Sequence, residues 1–242
     1  MNISNLFNFG ASSAWGHASP SAKSVQDVSP LTLAVQRADK RVQTEVDTNT
    51  AQLSSFGKLK SSVAEVQRTA QALTQLPAAA TGTDMKTALT KLMSAFNAAT
   101  DTASTTAALP GASAASLSAG RVSNDLQAAL SADPNLSATL EKIGVSVQNG
   151  SLALNDTPFD AALAADPAAV QATLTQLAQQ MNHTATTELE ADGNVSGSLS
   201  SLNQQARVLE AQQSALQSAT QATATPGSAR GLSAYQAHMN RH

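Results

Sequence analysis

The chain has 242 residues, a formal net charge of −3, 13% charged and 3% aromatic residues, and no cysteine. It therefore carries no basic footprint for nucleic acid and no Lys/Arg run for an anionic membrane surface, and disulfides and thiolate metal sites are excluded. With so few large side chains, slender helical packing through small residues fits better than a thick core. No run of about 18 apolar residues is present, so membrane insertion is not expected either.

The N-terminus, M-N-I-S-N-L-F-N-F-G, lacks the basic region and continuous apolar run of a secretory signal. Such a protein stays inside or leaves by another route, and the missing cysteines suit export in an unfolded state. Residues 1–28, with scattered Leu6, Phe7, Phe9 and Trp15, read as disordered or only locally helical. They are a floppy terminus, or an export signal or partner segment in which Trp15 makes the contact. Ser29-Pro30 starts a helix. Apolar or small residues then recur in steps of three and four from Leu31 through Val35, Val42, Val46, Leu53 and Phe56 to Leu76, with Asn49 standing in the stripe. This predicts an amphipathic helix over 29–76, longer than usual globular helices and rod-like, which Gly57 is expected to kink or weaken.

Residues 77–84 form a linker. A core block over 85–192 follows, opening with a helix around Met85 to Thr102. Leu109-Pro110-Gly111 and a Ser/Ala run form a loop, Val122, Leu126 and Leu130 mark a third helix, and Asp133-Pro134 caps a short fourth that stops at Gly144. The chain's only strong β signal comes next. Val145 and Val147 alternate with polar residues, Asn149-Gly150 supplies a two-residue turn, and Leu152 and Leu154 resume the alternation. Pairing about that turn sets Val147 opposite Leu152 and Val145 opposite Leu154, so the four share one face that helices must cover. Changing Val147 and Leu152 to aspartate is then expected to unfold the block. Thr157 is expected to cap a helix with Pro158 at its first position and Asp160 in a capping-box-like contact, and Asp166-Pro167 to restart it at a new angle.

The polar stretch from Glu188 to Ser198, with Gly193 and Gly197, reads as a solvated loop. A strict heptad then runs over 198–221 through Leu199, Leu202, Ala206, Leu209, Gln213, Leu216 and Thr220, with polar Gln213 on the seam where it can set register. Thr225-Pro226-Gly227 breaks the helix, and 222–242 form a tail. The fold class is mainly α: the two terminal helices pair as an antiparallel coiled-coil-like rod, and a compact helical core containing one hairpin (145–154) forms a knob on it. Leu31, Val35, Val42, Val46, Leu53, Phe56, Leu199, Leu202, Leu209, Gln213 and Leu216 are the candidate assembly residues.

Catalytic chemistry is not expected. His17, His183, His238 and His242 do not converge with other ligands as a zinc or general-base site requires. Glu188, Glu190 and Asp192 lack the ligand spacing of a calcium loop. Asp156 and Asp160 are explained by a helix start, and no phosphate-binding loop or G-x-S-x-G is present. No cofactor or metal is implied.

The run L-x-x-I-G-V-S-V-Q-N-G-S-L-A-L-N-D-x-x-F-D-A-A-L-A-A-D-P-A-A-V resembles the C-terminal domain of the flagellar hook-associated protein 2 family, the filament cap proteins. The matching positions are Ile143, Gly144, Gly150, Leu152, Leu154, Asp156, Asp160, Leu163, Asp166, Pro167 and Val170, with Val145, Val147 and Asn149 completing the hairpin. Residues 92–98, L-M-S-A-F-N-A, are similar to the segment that re-enters the family's core after its head domains, and the heptad resembles its C-terminal leg helix. The β-rich head domains of the family have only Pro77 to Asp84 in their place, and the leg is short. The resemblance implies export through the flagellar type III apparatus, homo-oligomeric assembly at the filament or hook tip through the terminal helices, and flagellin or hook–filament junction proteins as partners, with an export chaperone before export. The location would be the extracellular flagellum. The alternative is a cytoplasmic accessory or regulatory protein, derived from a cap protein, that binds flagellin, a chaperone or the true cap.

Overall fold

The computed structural model describes residues 30–109 and 114–224. The expectations for Trp15, Pro110-Gly111, Pro226-Gly227 and the tail from residue 225 on lie outside them, while residues 222–224, expected in the tail, are helical. The described residues form helices α1 (Pro30–Thr74), α2 (Gly82–Ala107), α3 (Ala114–Ser131), α4 (Pro134–Lys142), α5 (Asp156–Ala165), α6 (Pro167–Leu189) and α7 (Asn194–Ala224), with strands β1 (Val145–Gln148) and β2 (Ser151–Leu154) between α4 and α5. The architecture is mainly α with a single antiparallel hairpin.

α1 is the spine. Its 45 residues pass through Gly57 without a break in the helix, because the position is solvent-facing and an added Cβ would meet nothing within 4 Å. Its C-terminal half is enclosed, with Phe56, Leu59, Val63, Val66, Ala70 and Leu73 all buried. α2 returns antiparallel to it after a link of seven residues, 75–81, and Ser62 meets Thr102 at 3.4 Å. The start of α2 is set by a capping box: the Asp84 N–H donates to Thr81 Oγ1 at 3.2 Å and the Thr81 N–H to Asp84 Oδ2 at 3.0 Å. Hydrogen bonding to Thr81 holds the Asp84 carboxyl below its ordinary range.

Along the other side of α1 the partner changes partway. Gln171 of α6 donates to the carbonyl of Leu76 at 3.4 Å, and Gln67 of α1 to Thr186 at 2.8 Å. Further back on α1, Asn49 reaches the Leu202 carbonyl of α7 at 3.2 Å, and Gln43 accepts from Gln213 at 3.1 Å. As α1 numbers fall, α6 and then α7 numbers rise. α6 and α7 are thus two consecutive antiparallel partners of one helix, meeting at a joint over 190–193.

The hairpin has the register expected from its turn, Val145 with Leu154 and Val147 with Leu152. Asn149 and Gly150 take the positive φ of 53° and 80° that the turn demands. Gly144, at φ 85°, closes the base: its carbonyl accepts from the Asn155 N–H at 2.8 Å, and a Cβ there would come within 2.7 Å of both Asn155 O and Pro158 Cγ. The outer edge of β2 is sealed by Asn97 of α2. Its Oδ1 accepts from the Leu152 N–H at 2.7 Å and its Nδ2 donates to the Leu152 carbonyl at 3.0 Å, as a neighbouring strand would.

Three local expectations are corrected. Val145 and Leu152 are buried and Leu154 is partly buried, but Val147 is 51% exposed. α4 packs against β1, and α3, α4 and the strand enclose a groove of about 410 Å³ lined by Leu130, Leu140 and Val147 among others. α5 is capped by Asn155, which accepts from the Thr157 N–H at 3.2 Å, and Asp160 pairs with Lys86 rather than with its own helix start. The expected loop from Glu188 to Ser198 shrinks to 190–193, since Gly197 falls inside α7 and Glu188 inside α6. Asp133 and Asp166 do cap α4 and α6, each with proline following.

Leu152→Asp is expected to cost about 3 kcal/mol or more, because it buries an uncompensated charge. Val147→Asp should stay within about 0.5 kcal/mol of the parent, as for other exposed substitutions. Urea unfolding followed by circular dichroism separates the two; equal losses would show that the β1 tip is covered after all.

Candidate assembly interface

The pairing of α1 with α7 divides into two zones. Near the core, Phe56 and Leu202 are buried members of the main hydrophobic cluster, and Leu53 and Leu199 pack against it. Phe56 and Leu202 are enclosed, while Leu53 and Leu199 are half-buried at the edge of the core. Beyond Asn49 the packing thins to a two-helix seam. Of the described side chains there, Val42 on α1 and Leu209 on α7 are buried. Val35, Val46, Gln213 and Leu216 are half-buried, while the Leu31 side chain lies outside the described residues.

Asn49 marks the boundary between the zones. It is 5% exposed, and its Nδ2 donates to the Leu202 carbonyl at 3.2 Å and to Gln205 Oε1 at 3.3 Å. A polar side chain on an apolar seam weakens packing but is satisfied in one register only. Gln213 donating to Gln43 at 3.1 Å repeats the device further along the rod. The sequence pattern places Asn49 and Gln213 on their seams without pairing them; the partners became visible only with both helices in place.

The seam alone holds the rod weakly. From residue 30 to 49, α1 spans about 30 Å at 1.5 Å per residue. Full burial of one Val or Leu stabilises by roughly 1.5–3 kcal/mol, and in proteins most of a helix's stability comes from packing of its apolar face, which is sparse here. Leu33 and Val208, at 40% and 56% exposure, add apolar surface on the outside of the same two helices.

The other residues considered for chemistry do not assemble a site. His183 is exposed on α6. Asp156 and Asp160 of α5 both contact Lys86 Nζ of α2, at 2.9 and 3.0 Å, and these hydrogen bonds, Asp156 first, raise the Lys86 pKa. This exposed bridge ties α5 to α2 and contributes little to stability. Among the described residues no group of three or more metal-ligating side chains occurs, and no helix is long and apolar enough to cross a membrane.

A family model described as flagellar hook-associated protein 2 C-terminus matches residues 31–226. The chain belongs to the flagellar hook-associated protein 2 family. No curated protein and no solved structure matches it. The family match begins one residue into α1 and ends just beyond α7, so it takes in the rod and the core as one unit. The family is a structural flagellar one and not an enzyme family.

Asn49→Leu is expected to raise the thermal midpoint while loosening the register of α1 on α7, giving self-associated species in sedimentation equilibrium that the parent lacks at equal concentration. An unchanged association state with a lowered midpoint would mean that Asn49 serves stability alone.

Proposed function

We propose that the protein is a cap-like axial component of a bacterial flagellum. It is exported through the flagellar type III apparatus and assembles as a homo-oligomer at the filament or hook tip, with its α1/α7 rod inserted among the helices of neighbouring subunits. The observation that carries this reading is the rod itself: a family-matched pair of helices whose seam buries few residues and whose outer faces display Leu33 and Val208. Such a rod gains stability from lateral helix packing, which a flagellar axial assembly supplies. Flagellin or hook–filament junction proteins are the partners proposed, and Val35, Val46, Gln213 and Leu216 are the candidate contacts that remain accessible.

A second reading is favoured by one feature. α1 and α2 are joined by only seven residues, 75–81, where the family resemblance leads one to expect head domains. A core and rod without a head can bind flagellin, an export chaperone or a complete cap as an accessory protein without closing the filament.

Sheared flagella and culture supernatant, probed for the protein in strains with and without the flagellar export ATPase, distinguish the two. Export-dependent recovery with the filament tip is expected; retention in the cytosol while flagellin is exported would sink the cap-like reading in favour of the accessory one. The double variant Leu33→Asp with Val208→Asp should leave the fold within about 1 kcal/mol of the parent, since both sites are substantially exposed, and should abolish recovery with flagella. Normal incorporation would remove the rod's outer face from the interface.

A further inference from the structure

The joint between α6 and α7 contains a buried acid that the assembly reading leaves unused. Glu188, in the last turn of α6, is 3% exposed. Asn194, the first residue of α7, donates its Nδ2 to Glu188 Oε1 at 3.1 Å and to Asp125 Oδ2 of α3 at 3.4 Å. One amide thus bridges two carboxyl groups from two other helices. Glu188 Oε2 is buried without a hydrogen-bond donor. Such an oxygen is costly as part of a carboxylate, whereas as the hydroxyl of a neutral acid it can donate to Asp125.

The joint has little slack. A Cβ at Gly193 would collide with the backbone carbonyls of Thr187 and Glu188, so the turn packs tightly against the last turn of α6 and only glycine fits there. Ser196 Oγ donates to the Leu189 carbonyl at 2.8 Å and fastens the first turn of α7 to the end of α6. α3 packs against both helices and so straddles the joint.

We propose that Glu188 is a proton-operated clasp at the joint between core and rod: the neutral acid holds α3, α6 and the first turn of α7 together, and its ionisation beside Asp125 loosens them. Burial first, and hydrogen bonding to Asp125 second, push Glu188 up to about 7, against the opposing effect of Asn194. Of the charges on the packed helices, only Asp125 acts on it; α1 and α7 present none to it among the described residues, and Arg121, Glu190 and Asp192 face solvent. The sign follows from linkage. Below about 4.5, the ordinary value, folded and unfolded chains both carry the proton and the stabilisation is intact. Between there and about 7 the unfolded chain has released its proton and the folded chain has not, so stability falls as pH rises, and the fall ends above the folded value. The full effect on the unfolding constant is about two orders of magnitude. This inference does not depend on the flagellar reading.

The test uses the full chain and Glu188→Gln, which keeps the shape and cannot ionise. Urea unfolding from pH 4.5 to 8 should show the parent losing about a hundredfold in folding equilibrium relative to the variant. Amide exchange across Val195 to Leu199, corrected for its intrinsic pH dependence, should quicken above pH 7 in the parent alone. Glutamate-labelled carbon NMR of the parent should give one carboxyl titrating near neutrality, moved downward by Asp125→Asn, and this readout stands even if the Gln variant folds poorly. Parallel pH profiles for parent and variant, or a Glu188 carboxyl titrating in the ordinary range, would overturn the proposal. Calcium chloride at pH 8 should leave stability unchanged; restoration by calcium would make the pair a cation site and overturn the clasp as well.

Discussion

The continuity of α1 is the constraint on which the rest of the molecule depends. A single helix serves as the centre of the core at one end and as half of a two-helix rod at the other. Because a helix transmits position and phase along its length, the direction in which the core faces also sets which side chains the rod displays. The transition is abrupt. From Phe56 onward nearly every apolar position on the stripe is fully enclosed, and before Asn49 the described stripe is shared with α7 alone.

That arrangement makes the joint between α6 and α7 the other critical place. Both helices lie antiparallel along the same spine, so the turn at 190–193 breaks what would otherwise be one long partner helix. The break lets α6 follow the thick, multi-helix core while α7 follows the thin rod. Polar groups concentrate here: Asn49 holds α7 at the rod's base, and Glu188, Asp125 and Asn194 hold it at the joint. Hydrogen-bonded polar groups fix a position more sharply than apolar contact, at some cost in stability. Leu33 and Val208 lie exposed on the rod, while Asn49 and Glu188 are buried where it meets the core.

The hairpin illustrates how much of a motif is local. Its turn, register and shared apolar face were legible because Asn149-Gly150 and the alternation at period two act over a few residues. Which of the four apolar residues is covered was not legible. Val147 and Leu152 face each other across the ladder, yet one is exposed and the other is buried and tied through its backbone to Asn97. Fifty-five residues separate Asn97 from Leu152, and nothing in the alternation signals that a half-buried asparagine of α2 will stand in for a third strand.

The sequence by itself determined the helices with strong periodicity, the caps at Asp133 and Asp166, the hairpin register and the family, since each rests on short-range stereochemistry or an ordered motif. It also determined that the two end helices carry matching seams. Tertiary structure decided which seam residues join the core, enclosing Phe56 and Leu202 and packing the partly buried Leu53 and Leu199 against them. It decided too that Glu188 is buried. The stretch around it looks like a polar loop because Gly193 and Gly197 are read locally as breakers, but α1 and α3 supply a surface on which α7 can start early, and burial then pushes the Glu188 carboxyl above the ordinary carboxylate range.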